Sequence, residues 1–257
     1  MTDRGRGFTI IETTLFVVVS ALIFVAVLAG MGRSVQNNRI TDTTRALEGF
    51  IEAQMSDVRA GTVSAQTNAG GKLTCAAAAR YPGGSDLCMV IGKVMTFDTA
   101  TGTLKTYNVV ANTTPDQVGC TAPSATGAEA LVRYCPQVLD VTQPIESYTV
   151  EWGATLASLR YWDGTTAQSF GRIAILRDPE SEIVYVVDIG GAFPATGSYA
   201  LDSAKLVNTA SNQEANICIN HATFPVVKTS VHFTGGEGTG ALETSGDNVG
   251  TRAQLAC

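Results

Sequence analysis

At 257 residues, with 45% hydrophobic and 16% charged side chains, the chain can form one sizeable domain beyond a terminal helix and is too apolar to be disordered. Its net charge of −6 sits beyond residue 61: residues 62–257 carry 11 Lys and Arg against 17 Asp and Glu, while residues 1–61 balance. An acidic domain repels a phosphate backbone, which argues against general nucleic-acid binding.

The chain opens with Met1–Gly7, which holds Arg4 and Arg6. From Phe8 to Gly32 there is one charged residue, Glu12, in an otherwise apolar stretch long enough to cross a bilayer. A carboxylate in a helix that enters lipid costs about 2.5–3.5 kcal/mol at the centre and less near the edge. A plain anchor has no reason to carry it, so Glu12 is expected to have a function and a partner.

The run Gly7-Phe8-Thr9-Ile10-Ile11-Glu12, followed by Leu15 to Ala29, resembles the start of type IV prepilins and type II secretion pseudopilins. The resemblance covers the N-terminal segment alone. It implies a leader Met1–Gly7, cut between Gly7 and Phe8 by a membrane-embedded prepilin peptidase, and N-methylation of Phe8. It also implies a filament of pilin or pseudopilin subunits in which the Glu12 carboxylate meets the Phe8 amine of a neighbour. Two charges hidden from water offset each other's desolvation only if they meet. The subunit would lie in the cell membrane as a single-pass protein before assembly, and in an extracytoplasmic filament or at the cell surface afterwards.

The competing reading is a secretory signal peptide, with Arg4 and Arg6 before an apolar run and a cut after Val27-Leu28-Ala29. It would release a β-domain that binds a surface ligand such as a glycan, and it leaves Glu12 unexplained. An uncleaved anchor is a third reading. Arg33 and Arg39 follow the apolar run as Arg4 and Arg6 precede it, so flanking charge does not set topology.

Beyond Gly30 and Gly32, residues 34–60 contain no Pro, and Leu47, Phe50, Ile51, Met55 and Val58 recur at three and four residues. One helix from Phe8 to Ala60 would be about 80 Å long, closed by Gly61; two helices broken at Gly30-Met31-Gly32 is the alternative. Major pilins often carry Pro at the position of Ala29, and its absence points to a minor subunit. The expected divisions are a leader 1–7, a transmembrane or filament-core helix 8–32, an amphipathic continuation 33–61 and an exported head 62–257.

From Thr62 the spacing becomes that of short strands. Strands are expected at Cys88–Phe97, Thr103–Val110, Tyr148–Trp152, Leu156–Trp162, Thr165–Phe170, Arg172–Arg177, Glu182–Ile189, Ala215–Asn220 and Val226–Phe233, with a last one near Arg252–Ala256. Asp163-Gly164 signals a two-residue hairpin and Asp178–Ser181 another turn. The fold class is α+β: a long N-terminal helix packed on an antiparallel β-rich head, as a sandwich or curved sheet.

All six cysteines (Cys75, Cys88, Cys120, Cys135, Cys218 and Cys257) follow the apolar segment. An even count suits an oxidising compartment, and of 15 connectivities proximity favours Cys75–Cys88, Cys120–Cys135 and Cys218–Cys257. No C-x-x-C pair exists, so a zinc site is not expected.

No catalytic constellation, metal site or cofactor is expected, and the chain is not read as an enzyme. His221 and His232 lack a third ligand at a recognised spacing. Residues 235–240 resemble a phosphate loop without its helix and are read as a hairpin tip. Trp152, Tyr161, Trp162 and Phe170 are read mainly as core, with a stacking surface as the rival. Turn chemistry accounts for Asp98, Thr99, Thr101 and Asp178–Glu182 better than calcium binding does.

Overall fold

The computed structural model describes residues 9–60, 88–113, 115, 127–138, 140–162, 167–190, 193–201, 206, 214–221, 227–234 and 242–246. Helix α1, Ile10–Ala60, runs through Gly30 and Gly32 without a break in its assignment. Neither glycine has another atom within 4 Å of the place a Cβ would take, so no packing contact demands a glycine there. Two compact units are distinguished, Met1–Asp42 and Thr43–Cys257.

In the second unit, Leu47, Ile51, Met55 and Val58 of α1 are buried, as their helical spacing requires, with Phe50 packed beside them. The strands are β1 (Cys88–Asp98), β2 (Thr103–Asn112), β3 (Gln137–Val138), β4 (Glu146–Thr149), β5 (Thr155–Trp162), β6 (Ala167–Ser169), β7 (Arg172–Arg177), β8 (Val184–Asp188), β9 (Tyr199–Ala200), β10 (Glu214–His221), β11 (Val227–Thr234) and β12 (Leu242–Gly246). One sheet has the order β8-β7-β1-β2-β3-β9 with β4 also on β2; the other has β12-β11-β10-β5-β6. All pairings are antiparallel.

Strand β7 of the first sheet is buried on both faces. Ile173 and Ile175 join α1 and the second sheet in one cluster, whereas Ala174 and Leu176 join Leu131, Tyr134 and Val138 in another. Gly92 lies at a bulge in β1, where a Cβ would collide with the Ile175 carbonyl oxygen and the Leu176 backbone of β7.

Three local expectations change. Trp152 is not in a strand: β4 ends at Thr149, and Gly153 allows a turn in which Ala154 N donates to Glu151 O at 3.1 Å. Trp162 pairs with Ala167, so residues 163–166 separate the paired ends of β5 and β6 and a two-residue hairpin is ruled out. Strands β3, β9 and β12 were not expected. Arg252–Ala256, Gly61 and residues 235–240 lie outside the described residues.

Candidate functional site

Thr9 caps α1. Glu12 N donates to Thr9 Oγ1 at 3.3 Å, and Glu12 Oε2 accepts from Thr9 N at 2.9 Å and from Thr9 Oγ1 at 3.0 Å. This is the reciprocal capping box, with the carboxylate also placed at the positive end of the helix dipole. The T-x-x-E spacing is visible in the sequence and gives Glu12 an intrachain role that the cost of burying a charge does not reveal. Thr13 and Thr14 direct their hydroxyls back to Ile10 O and Ile11 O at 2.9 and 3.0 Å, satisfying them within the helix. Gly7 and Phe8 lie outside the described residues.

After this polar turn, Leu15, Phe16, Leu22, Ile23, Phe24 and Val25 are all exposed. The helix is long and apolar enough to cross a membrane, and none of its most apolar stretch is buried within the protein. So large an exposed apolar surface needs lipid or another protein to cover it.

Two polar clamps fix the buried half of α1 to the two sheets. Lys93 Nζ, on β1, donates to Gln54 Oε1 at 2.7 Å and Asp57 Oδ2 at 2.6 Å, while Gln54 Nε2 donates to Glu146 Oε2 at 2.7 Å. Lys93 is 4% exposed, so its charge must be answered inside the fold. On the other sheet, Thr44 Oγ1 lies 2.9 Å from Thr229 Oγ1, which lies 2.8 Å from His221 Nε2. Burial holds the His221 pKa below its ordinary value. Phe50 stacks on Tyr148 at 5.2 Å between ring centroids, and burial raises the Tyr148 pKa.

Both histidines are buried. His232 Nε2 faces Glu214 Oε2 at 3.9 Å. Tyr161 and Phe170 join the core, Trp152 is exposed, and the Trp162 side chain is outside the described residues, so the four aromatics do not form the stacking surface considered as a rival. The Asp98 carboxylate accepts from Ala100 N at 3.0 Å and Thr101 N at 3.3 Å, and hydrogen bonds from Thr101 and Ala100 lower its pKa. Asp178 accepts from Glu180 N at 3.0 Å and Ser181 Oγ at 2.7 Å. Both carboxylates are thus occupied by turn geometry, and no metal-binding cluster occurs among the described residues. Tyr134 donates to Glu180 Oε1 at 2.7 Å, and burial together with that carboxylate pushes its pKa up to about 12.

Cys135 and Cys218 are each held in a disulfide. Cys75, Cys120 and Cys257 lie outside the described residues, as does the side chain of Cys88. The chain matches no family model, no curated protein and no solved structure.

Proposed function

We propose that the chain is a structural subunit, of the minor pilin or pseudopilin kind, in a type IV pilus or type II secretion-like filament. The observation that carries this reading is a single carboxylate, Glu12, in the first turn of a helix whose following apolar surface is uncovered. Prepilin peptidase cuts between Gly7 and Phe8 and methylates Phe8. The freed amine then competes with Thr9 for the Glu12 carboxylate of a neighbouring subunit. The two antiparallel sheets form a sandwich head on the second half of α1, stapled by Cys75–Cys88, Cys120–Cys135 and Cys218–Cys257. The subunit resides in the membrane before assembly and in an extracytoplasmic filament afterwards, and its partners are other subunits and the peptidase.

Mass spectrometry of the mature N-terminus tests the proposal. N-methyl-Phe8 is the expected result. A chain beginning at Gly30 would overturn it in favour of a β-domain released by signal peptidase.

A further inference from the structure

We infer that Arg172 holds a small carboxylate ligand on the first sheet, on the face turned away from α1, at the inner end of a side-chain row Arg172–Thr96–Lys105. The inference does not depend on the filament reading.

Arg172 opens β7 and is 5% exposed. Its Nη2 donates to Gly190 O, while Nη1 is buried with no hydrogen-bond partner. The guanidinium carbon lies 4.5 Å from the centroid of the Phe193 ring and 5.3 Å from that of Tyr199. Those two rings lie 5.1 Å apart, and Tyr107 meets Phe193 edge-on at 5.2 Å. Among the described residues no carboxylate forms an ion pair with Arg172. Asp188 on β8 pairs with Ile173, whose side chain joins the α1 cluster, so its carboxylate is on the opposite face of the sheet. Its Oδ1 accepts from Gly190 N at 2.9 Å.

A buried charge needs a counter-charge and a partner for each donor. Ring faces attract the guanidinium but leave Nη1 without an acceptor. A water molecule would satisfy the donor and leave the charge unanswered. A carboxylate does both, because one oxygen accepts from Nη1 while its charge offsets that of the guanidinium.

The strand register supplies an entrance. Thr96 of β1 pairs with Arg172 on one side and with Lys105 of β2 on the other, so the three side chains share one face in a cross-strand row. Arg172 is buried, Thr96 is half-buried and Lys105 is exposed. The row thus leads from solvent to the unmet donor, with a cation at each end and a hydroxyl between. Lys105 contributes to the lowered Asp98 pKa, but the Asp98 carboxylate is occupied by Ala100 N and Thr101 N, and Lys105 forms no ion pair among the described residues. Because Nη1 is closed off from solvent, the ligand is a small molecule that enters past Thr96, rather than an acidic side chain on a bulky protein surface.

Calorimetric titration of the detergent-solubilised full chain with sodium acetate, at neutral pH and constant ionic strength, tests the site. Saturable binding to the wild type is expected, with a melting temperature that rises with acetate concentration. Acetamide, which has the same shape and no charge, should bind about tenfold or more weakly. Arg172→Gln should weaken acetate binding about tenfold or more, and Lys105→Gln, at an exposed position, about two- to threefold by removing the outer cation. No saturable acetate binding by the wild type up to about 100 mM, equal binding of acetamide, or full binding by a folded Arg172→Gln variant would overturn the inference. Should Arg172→Gln fail to fold, Lys105→Gln decides, and unchanged acetate affinity in that variant would overturn the row. None of these readings involves incorporation into a filament, so their failure leaves the proposed function standing.

Discussion

Lys93 Nζ lies 2.6 Å from Asp57 Oδ2, and the two side chains differ tenfold in exposure, at 5% and 48%. The ammonium is committed to the interior while its counter-charge keeps one side in water. Removing the two partners should therefore have unequal effects. Asp57→Ala leaves a buried ammonium with Gln54 alone and should cost about 1.5–3 kcal/mol. Lys93→Met puts an apolar chain of similar length into an apolar sheet and should cost less. Urea unfolding of the detergent-solubilised chain measures both; equal losses would show that the ion pair does not govern this clamp.

Burial of His221, at the end of the hydrogen-bonded chain Thr44–Thr229–His221, gives the head an acid sensitivity. The unfolded histidine takes up its proton near its ordinary pKa of about 6.5, whereas the buried ring resists until lower pH. Protons then favour the unfolded state, so His221 leaves stability intact above pH 6.5 and reduces it as pH falls towards the folded-state value. His221→Gln should flatten that part of the curve of melting temperature against pH. An unchanged slope would assign the acid sensitivity to other groups.

Capping and charge at Glu12 can be separated by one atom's chemistry. Glutamine preserves a capping box, so Glu12→Gln should leave the helix start intact and still weaken assembly if the carboxylate answers a neighbouring amine. Thr9→Ala removes the cap at a cost of about 1 kcal/mol of helix stability and leaves the charge in place. Leader removal should proceed in both variants. Filaments that take up Glu12→Gln at the wild-type level would reduce Glu12 to a helix cap.

Gly7→Ala should leave the leader attached, because the peptidase of the pilin-like reading needs a residue without a side chain before the cut. Immunoblots would show precursor accumulating in the membrane. Normal processing of this variant would remove the main support for the family resemblance.

Gly92→Ala tests the close approach of β1 and β7. The added methyl would have to displace the Ile175 and Leu176 backbone as well as the Leu176 side chain, so a loss of about 1–3 kcal/mol or more is expected, with near-UV circular dichroism reporting disturbed packing. Native stability would mean that the bulge relaxes freely.

What the sequence makes legible follows the length of its periodic signal. The buried stripe of α1 stands out because Leu47, Ile51, Met55 and Val58 repeat over three turns, and β1, β2, β5, β7, β10 and β11 are long enough to show β-rich composition. Strands of two residues such as β3 and β9 carry no period at all. Lys93 lies 39 and 36 residues from Gln54 and Asp57, with no motif that links them. Their meeting is set by tertiary placement, which leaves no mark at the level of spacing. At the candidate site the position of Glu12 is legible, and so is its cap.

Because α1 supplies part of the head's interior, the helix cannot be trimmed as a mere tether. Fragments starting at or before Asp42 retain the whole buried stripe and the Thr44, Gln54 and Asp57 clamps. A protease that cut between Thr44 and Leu47 would instead carve off one strut of the clamp, and one that cut after Val58 would strip four large apolar side chains from the interior at once. Shedding of an intact, folded head from the cell surface is therefore confined to cleavage upstream of Thr43.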